Sequence, residues 1–311
     1  RRKRKPGLLA VGHGDTVWPV GALREMPWRE TAERIYGPGV LDMKSGLAFF
    51  LTAMRLLREL DLPVNRGVSL WVVSDEETGS ADSRAHTEKL ALDSSAVLVL
   101  EPGTGLEGKL KTARKGVGAY TVRVRGRKAH AGVDFSAGAN AIVELARQIE
   151  RIAAFTDLKK GLTVNPGIVS GGSRTNVVPD EAEAQVDIRV ARLRDATGID
   201  RKFNGLRPVD RRCSIEVTGG LNRPPMERTR GVTALFRAAQ KIARERLGVE
   251  LEESATGGGS DGNFTAALGV PTLDGLGGVG EGAHAAHESI LAAPSAQRIA
   301  LLAHLVRHLG Q

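Results

Sequence analysis

Two glutamates stand side by side in Ser74-Asp75-Glu76-Glu77-Thr78-Gly79. They follow an apolar run, Val68-Ser69-Leu70-Trp71-Val72-Val73, that reads as a strand. Adjacent residues on a strand point to opposite sides. At the strand's end one carboxylate can face a metal ion and the other a water beside it. Paired acids usually sit solvated on a surface, so the assignment depends on what else the chain offers.

Four other clusters have suitable residue types. His13-Gly14-Asp15-Thr16 follows a short apolar run, and His13 can offer one ring nitrogen to a metal while Asp15 accepts the other ring N–H. Asp42, in Gly39-Val40-Leu41-Asp42-Met43-Lys44-Ser45-Gly46, is either a helix cap or a carboxylate that bridges two ions. Glu101 closes Leu98-Val99-Leu100-Glu101-Pro102, again at a strand end. In Gly282-Ala283-His284-Ala285-Ala286-His287-Glu288 two histidines compete for one role. Each cluster alone is more often structural. Together they supply two histidines and three carboxylates, with a fourth carboxylate left over. That set suits two Zn²⁺ ions, or Co²⁺, better than Mg²⁺ or Ca²⁺.

The elements that must position these residues are alternating strands and helices. Gly7 to Val11, Val68 to Val73 and Ala96 to Leu100 read as strands, and Gly46 to Leu60 as a helix with apolar residues at Leu47, Phe50, Leu51, Met54, Leu57 and Leu60. Strand ends in an open α/β sheet converge on one edge, where such folds place ligands. Near Lys115 the pattern changes. Ala119 to Gly126 alternates with period two, Leu162 to Ser170, Glu181 to Val190 and Cys213 to Thr218 read as strands, and Asn140 to Ile152 and Asp195 to Phe203 as helices. From Thr229 the α/β character returns, with a helix from Val232 to Leu247, a strand from Val270 to Leu276 and a closing helix from Ala293 to Leu309. The expected organisation is therefore an α/β domain in two parts, 1–114 and 226–311, interrupted by a compact α+β insert, 115–225.

Composition narrows the class. The 311 residues are 41% hydrophobic and 26% charged, as in an ordinary globular protein. The net charge of +8 raises the possibility of a nucleic-acid partner, but the basic residues are scattered and aromatics are 4%. The dense run Arg1-Arg2-Lys3-Arg4-Lys5 reads as a solvated tail. A single cysteine, Cys213, excludes an intramolecular disulfide and suits the cytoplasm. No run approaches the about 20 apolar residues of a membrane span, and Leu8 to Val11 is too short for a signal peptide.

From His13-Gly14-Asp15-Thr16-Val17 through Asp42-Met43-Lys44-Ser45-Gly46, Asp75-Glu76-Glu77-Thr78-Gly79, Glu101-Pro102, Gly126-Arg127-Lys128-Ala129-His130-Ala131-Gly132 and Thr256-Gly257-Gly258-Gly259-Ser260-Asp261 to Ala283-His284, the chain resembles the M20 metallopeptidase family. The likeness covers nearly its whole length, in the family's order. The intervals from Glu101 to Lys109, His130, Asn176 and Arg189 resemble the glutamate carboxypeptidase branch, which removes C-terminal glutamate from peptides or folates.

The resemblance implies a zinc-exopeptidase-like catalytic domain with an inserted lid and dimerisation domain, and a homodimer through that insert. It implies that His13 and Glu101 bind one zinc, that Glu77 and His284 bind the other, and that Asp42 bridges them. Glu76 would be the general base and Asp15 the partner of His13. His130 would stabilise the oxyanion from the neighbouring subunit, Arg189 would grip the substrate's α-carboxylate with Asn176 beside it, Lys109 would face an acidic side chain, and Gly258 would offer its backbone amide. His287 would be a bystander. The family carries helices and a strand ahead of its first histidine, so this chain, beginning almost at it, reads as truncated or lacking that strand.

The expected activity is cleavage of an amide bond in a substrate with a free α-carboxylate. The nearest alternative is an N-acyl-amino-acid deacylase or desuccinylase of the same family, with a small acylated amino acid in place of a peptide. A basic nucleic-acid-binding protein is the alternative of another class. Neither nucleic acid nor membrane is expected as a partner.

Overall fold

The computed structural model describes residues 6–311, so the basic run Arg1 to Lys5 lies outside the described residues. The chain divides into two units. The first ends at Arg114 and resumes at Met226, and the second is Lys115–Pro225.

The first unit is built on a parallel sheet in the order Thr272–Leu273, Ser94–Val99, Gly7–His13, Val68–Val73. The Gly7–His13 strand is apolar on both sides because both sheet faces are covered. Leu8 and Ala10 join the larger core with Phe49, Phe50, Ala53 and Leu57 of the Ser45–Glu59 helix and Leu301, Leu302 and Leu305 of the Ser295–Leu309 helix. Leu9 and Val11 point the other way, to Val97, Val99 and Ala91. Ala91 belongs to the Arg84–Leu92 helix, which the sequence pattern does not announce because only Thr87 and Ala91 on it are buried. Gly46 lets the Ser45–Glu59 helix start directly against the end of the Ser94–Val99 strand, since a Cβ there would collide with the carbonyl of Leu100.

The strand expected from Val270 to Leu276 is only Thr272–Leu273. Asp274 leaves the ladder to engage Arg114, and Gly275 turns the backbone with φ +81. Buried Arg298 then holds that turn, donating to the carbonyls of Gly277 and Gly108 at 3.0 Å each and to that of Gly275. Two small sheets also escape the sequence pattern. One joins Arg29–Glu30, Arg34–Tyr36, Ser289–Leu291 and Gly280–Glu281; the other pairs Leu110–Arg114 with Glu253–Thr256. Arg114 and Met226 exchange both backbone hydrogen bonds at 3.0 Å, so the chain leaves and re-enters this unit at one point.

The second unit is an antiparallel sheet in the order Ser214–Arg223, Gly116–Arg125, Glu181–Val190, Thr163–Gly171. Its alternation buries Tyr120, Val122 and Val124 with Ala182, Ala184, Val186 and Ile188 against the Ala141–Ala153 and Leu193–Asn204 helices. Asn140 caps the first of these, its side chain accepting from the Val143 N–H at 3.0 Å. The strand expected at Cys213 to Thr218 runs on to Arg223 through Gly219-Gly220. A side chain at Gly219 would meet the carbonyl of Ala119, so glycine keeps the pairing intact. Among the described residues no helix is long and apolar enough to cross a membrane.

Candidate metal centre

His13 ends the central strand of the first unit and is 1% exposed. Its Nδ1 lies 3.1 Å from the carbonyl oxygen of Asp15 and 3.5 Å from Asp15 Oδ1. Its Nε2 faces Asp42 Oδ1 at 3.2 Å and Glu101 Oε1 at 3.5 Å. Glu101 follows the neighbouring Ser94–Val99 strand, and Asp42 sits in the segment that leads into the Ser45–Glu59 helix. A second cluster forms around the other oxygen of Asp42. His284 Nε2 is 3.4 Å from Asp42 Oδ2 and 3.3 Å from Glu77 Oε1. His284 has φ +62, directed there by a tight turn through Gly282 at φ +84. Asp15 ties the two clusters together, because its Oδ2 accepts the backbone N–H of Glu77 at 3.0 Å.

Within each trio, His13–Asp42–Glu101 and Asp42–Glu77–His284, the ligand atoms lie within 4.8 Å of one another. His287 belongs to neither trio. Glu76 is half-buried, and its charge is felt at both His13 and Arg114.

The electrostatics call for cations. Burial alone would lower the pKa of His13, but hydrogen bonds to Asp42 and Glu101 and the charges of Glu101 and Glu76 push it up to about 11. Burial, with Asp42 close by, raises the carboxyl of Glu77. Glu77 Oε1 is buried and receives no hydrogen bond. Glu101 goes the other way. Burial would raise its pKa, but His13, Arg114 and Lys111 hold it well below the usual carboxylate range. Convergent imidazole nitrogens and carboxylate oxygens in a field this negative fit one divalent ion per trio, with nitrogen–oxygen donors suited to Zn²⁺ or Co²⁺.

Residues not singled out by type or spacing complete the surroundings. Arg114 is buried between Glu101, 3.4 Å away, and Asp274, which it grips with two hydrogen bonds of 2.8 and 3.0 Å. It also donates to the carbonyls of Gly258 and Gly259, at 3.2 and 2.9 Å. Burial lowers the pKa of nearby Lys111. In the sequence both lie in Lys111-Thr112-Ala113-Arg114-Lys115, which looks like a solvated basic strand. Its one signal is that three cations follow so closely on Glu101.

The expected substrate-binding residues are placed as follows. Lys109 is engaged by Glu252 at 2.6 Å. The Gly258 N–H makes a long bond of 3.4 Å to Thr256 Oγ1. In the second unit, His130 is exposed, its Nδ1 accepting the Gly132 N–H at 3.1 Å. Asn176 is its neighbour, accepting the Ala131 N–H at its backbone oxygen at 3.0 Å. Arg189 directs its fork at Asp187, with Nε and Nη2 each 2.9 Å from a carboxylate oxygen.

The chain is similar to known proteins. The profile of peptidase family M20/M25/M40 matches residues 9–308. Carboxypeptidase G2 of Pseudomonas sp. (strain RS-16) is 31% identical over 97% of this chain and 74% of its own length. Succinyl-diaminopimelate desuccinylase of Azoarcus sp. (strain BH72) is 29% identical over 93% of this chain and 79% of its own. The crystal structure of aminopeptidase PepT from Bacillus cereus ATCC 10987 superposes with a TM-score of 0.80 at 22% identity, covering 100% of this chain and 82% of that one, which is a likeness of fold. With the family profile spanning nearly the whole chain and the ligand trios in place, this protein belongs to peptidase family M20/M25/M40 and is a metal-dependent hydrolase.

Proposed function

We propose that the protein is a two-zinc hydrolase that cleaves the amide bond of a substrate bearing a free α-carboxylate, acting as a carboxypeptidase that releases C-terminal glutamate. The observation that carries the hydrolytic part is the pair of ligand trios joined at Asp42, with Glu76 beside them. His13 and Glu101 would hold one ion, Glu77 and His284 the other, and Asp42 both. When bound, the two ions supply water activation and polarisation of the scissile carbonyl.

The chain's own residues do the rest. Asp15 accepts the Nδ1 proton of His13, leaving Nε2 as the ligand. Glu76 is assigned as the general base, since its neighbour Glu77 belongs to a trio and Glu76 to neither. It takes a proton from the attacking water and returns it to the leaving amine. Arg189 would bind the α-carboxylate, for which a planar fork is suited, with Asn176 beside it. His130 would stabilise the oxyanion. Lys109 and the Gly258 amide would contact the glutamate.

The second unit is proposed to serve as a lid and to carry a homodimer contact. Its edge strand Thr163–Gly171 leaves Ile168 and Val169 about half exposed, at 60% and 56%, as a candidate pairing edge.

The carboxypeptidase reading is supported by the similarity to carboxypeptidase G2. A second reading, deacylation of an N-succinyl or N-acetyl amino acid, is supported by the similarity to the desuccinylase. Both use the same centre and differ in the acyl side of the bond.

The test is a panel of peptides ending in glutamate, set against N-succinyl and N-acetyl amino acids, with Zn²⁺- or Co²⁺-loaded enzyme. Preference for the peptides supports the carboxypeptidase, and preference for the acylated amino acids replaces it with the second reading. Glu76→Ala is expected to lose about 10²–10⁴-fold in kcat while keeping two ions per chain. Full turnover in Glu76→Ala would remove Glu76 from the mechanism.

A further inference from the structure

Glu288 is an acid with no ligand role, yet it is 1% exposed and carries four hydrogen bonds. Its Oε2 accepts the N–H of Gly39 at 2.8 Å and Trp18 Nε1–H at 2.9 Å. Its Oε1 accepts the N–H groups of Leu41 and Asp42, each at 3.0 Å. Three backbone amides of one loop therefore cup a single carboxylate, an arrangement that favours an anion. Gly39, at φ +73, supplies the left-handed turn that points its amide inward.

The same residue anchors the opposite side of the centre. Its backbone N–H donates to Ala285 O at 2.9 Å, and the Ala285 N–H donates to Gly282 O at 2.8 Å. These two bonds fold the turn that carries His284. Its backbone oxygen accepts the Gly37 N–H at 3.3 Å. Glu288 thus grips the loop of Asp42 with its side chain and fixes the turn of His284 with its main chain.

We infer that Glu288 is a positioning residue that sets the separation of Asp42 and His284, and through it the affinity of the centre for its second ion. This rests on the two-ion reading given above. Asp42 serves both trios, so its carboxylate has little freedom. Metal–ligand distances tolerate only about 0.2 Å. The inference requires a carboxylate at this position, because only a carboxylate offers two oxygens that each accept two N–H donors. Glutamine has the same shape, but its NH₂ group would face two N–H donors. A residue needed only for packing would tolerate that exchange.

The experiment uses the full chain, stripped of metal and titrated with Zn²⁺ against a chromophoric chelator. Circular dichroism and thermal unfolding of the metal-free forms check folding. Wild type is expected to take up two ions. Glu288→Gln is expected to weaken the second by about 10- to 100-fold, as losing a hydrogen-bonding partner behind a ligand does, with the metal-free fold retained. Trp18→Phe deletes one of the four donors and is expected to weaken it by a smaller factor. Trp18→Phe carries the test if Glu288→Gln does not fold. Wild-type affinity in Trp18→Phe, or in a folded Glu288→Gln, overturns the inference and leaves the two-ion reading intact. A wild-type chain that binds no Zn²⁺ overturns both.

Discussion

The guanidinium of Arg114 lies 3.4 Å from Glu101 Oε2 and, on its other side, holds Asp274 with two hydrogen bonds. Asp274 is fully buried and also accepts Ser260 Oγ–H at 2.8 Å. A cation shared by two buried acids is costly to remove, because Asp274 loses its ion pair and two hydrogen bonds and Glu101 loses one of the groups that hold its charge. Arg114→Ala is expected to destabilise the protein by about 3–5 kcal/mol. Arg114→Lys is expected to recover only part of this, since an ammonium cannot reproduce the fork that meets Asp274 and the two glycine carbonyls. Urea unfolding of the three proteins measures the difference.

Asp42 is the one side chain common to both trios. Asp42→Ala is therefore expected to bring zinc content below one ion per chain, whereas Glu77→Ala leaves about one, held by His13, Asp42 and Glu101. Elemental analysis of gel-filtered protein reads this directly. Equal metal content in the two variants would mean that Asp42 does not bridge.

The Arg189 proposal concerns substrate alone. Arg189→Ala is expected to lower kcat/KM about 10- to 100-fold on substrates with a free α-carboxylate, the worth of a hydrogen bond to a charged group. Substrates amidated at that carboxylate should lose nothing further. Equal losses on both would assign Arg189 to the stability of its own strand, through Asp187.

Glu144 gives the second unit an acid-sensitive stability. Burial would raise its pKa, but the N–H groups of Asp210 and Val209, the amide of Gln148 and the charge of Arg147 outweigh it and hold the carboxyl below its usual value. A depressed folded-state pKa means that the stabilisation is complete above the unfolded value of about 4.3 and disappears as pH falls through the lower folded value. Glu144→Gln is expected to cost about 1–2 kcal/mol at neutral pH. The gap from wild type should begin to narrow as pH falls through about 4.3 and close below the lower folded value, as protonated Glu144 comes to resemble the amide. Denaturation followed by circular dichroism across that range checks the sign.

Much of this protein is legible in its sequence. The buried runs Leu8 to Val11 and Ala96 to Leu100 declare parallel strands because no polar residue interrupts them. The period-two pattern from Ala119 and the helix after Asn140 are equally plain. His13, Glu77 and Glu101 stand out because each lies just at or after the end of an apolar strand, and the two trios join them to Asp42 and His284. Arg114 and Glu288 are not legible in this way. Their partners are Asp274, the Gly258 and Gly259 carbonyls, Trp18 and the Gly39–Asp42 amides, far away along the chain, and backbone donors leave no trace in residue type. The Arg84–Leu92 helix escapes for a different reason, since it buries too little to show a period. The Val270 strand is cut short by Asp274, whose side chain serves Arg114.

The single crossing point at Arg114 and Met226 has a consequence for biosynthesis. His13, Asp42 and Glu101 all emerge from the ribosome before the second unit, while His284 comes after it. So do Leu301, Leu302 and Leu305, which complete the larger core. A growing chain thus contains every residue of one trio, and about half of the larger core, long before it contains His284 of the other. The Lys115–Pro225 unit has its own core and can fold in the interval. The second trio is completed only once His284 has been made, and the Asp42 loop gains its Glu288 anchor at the same late stage.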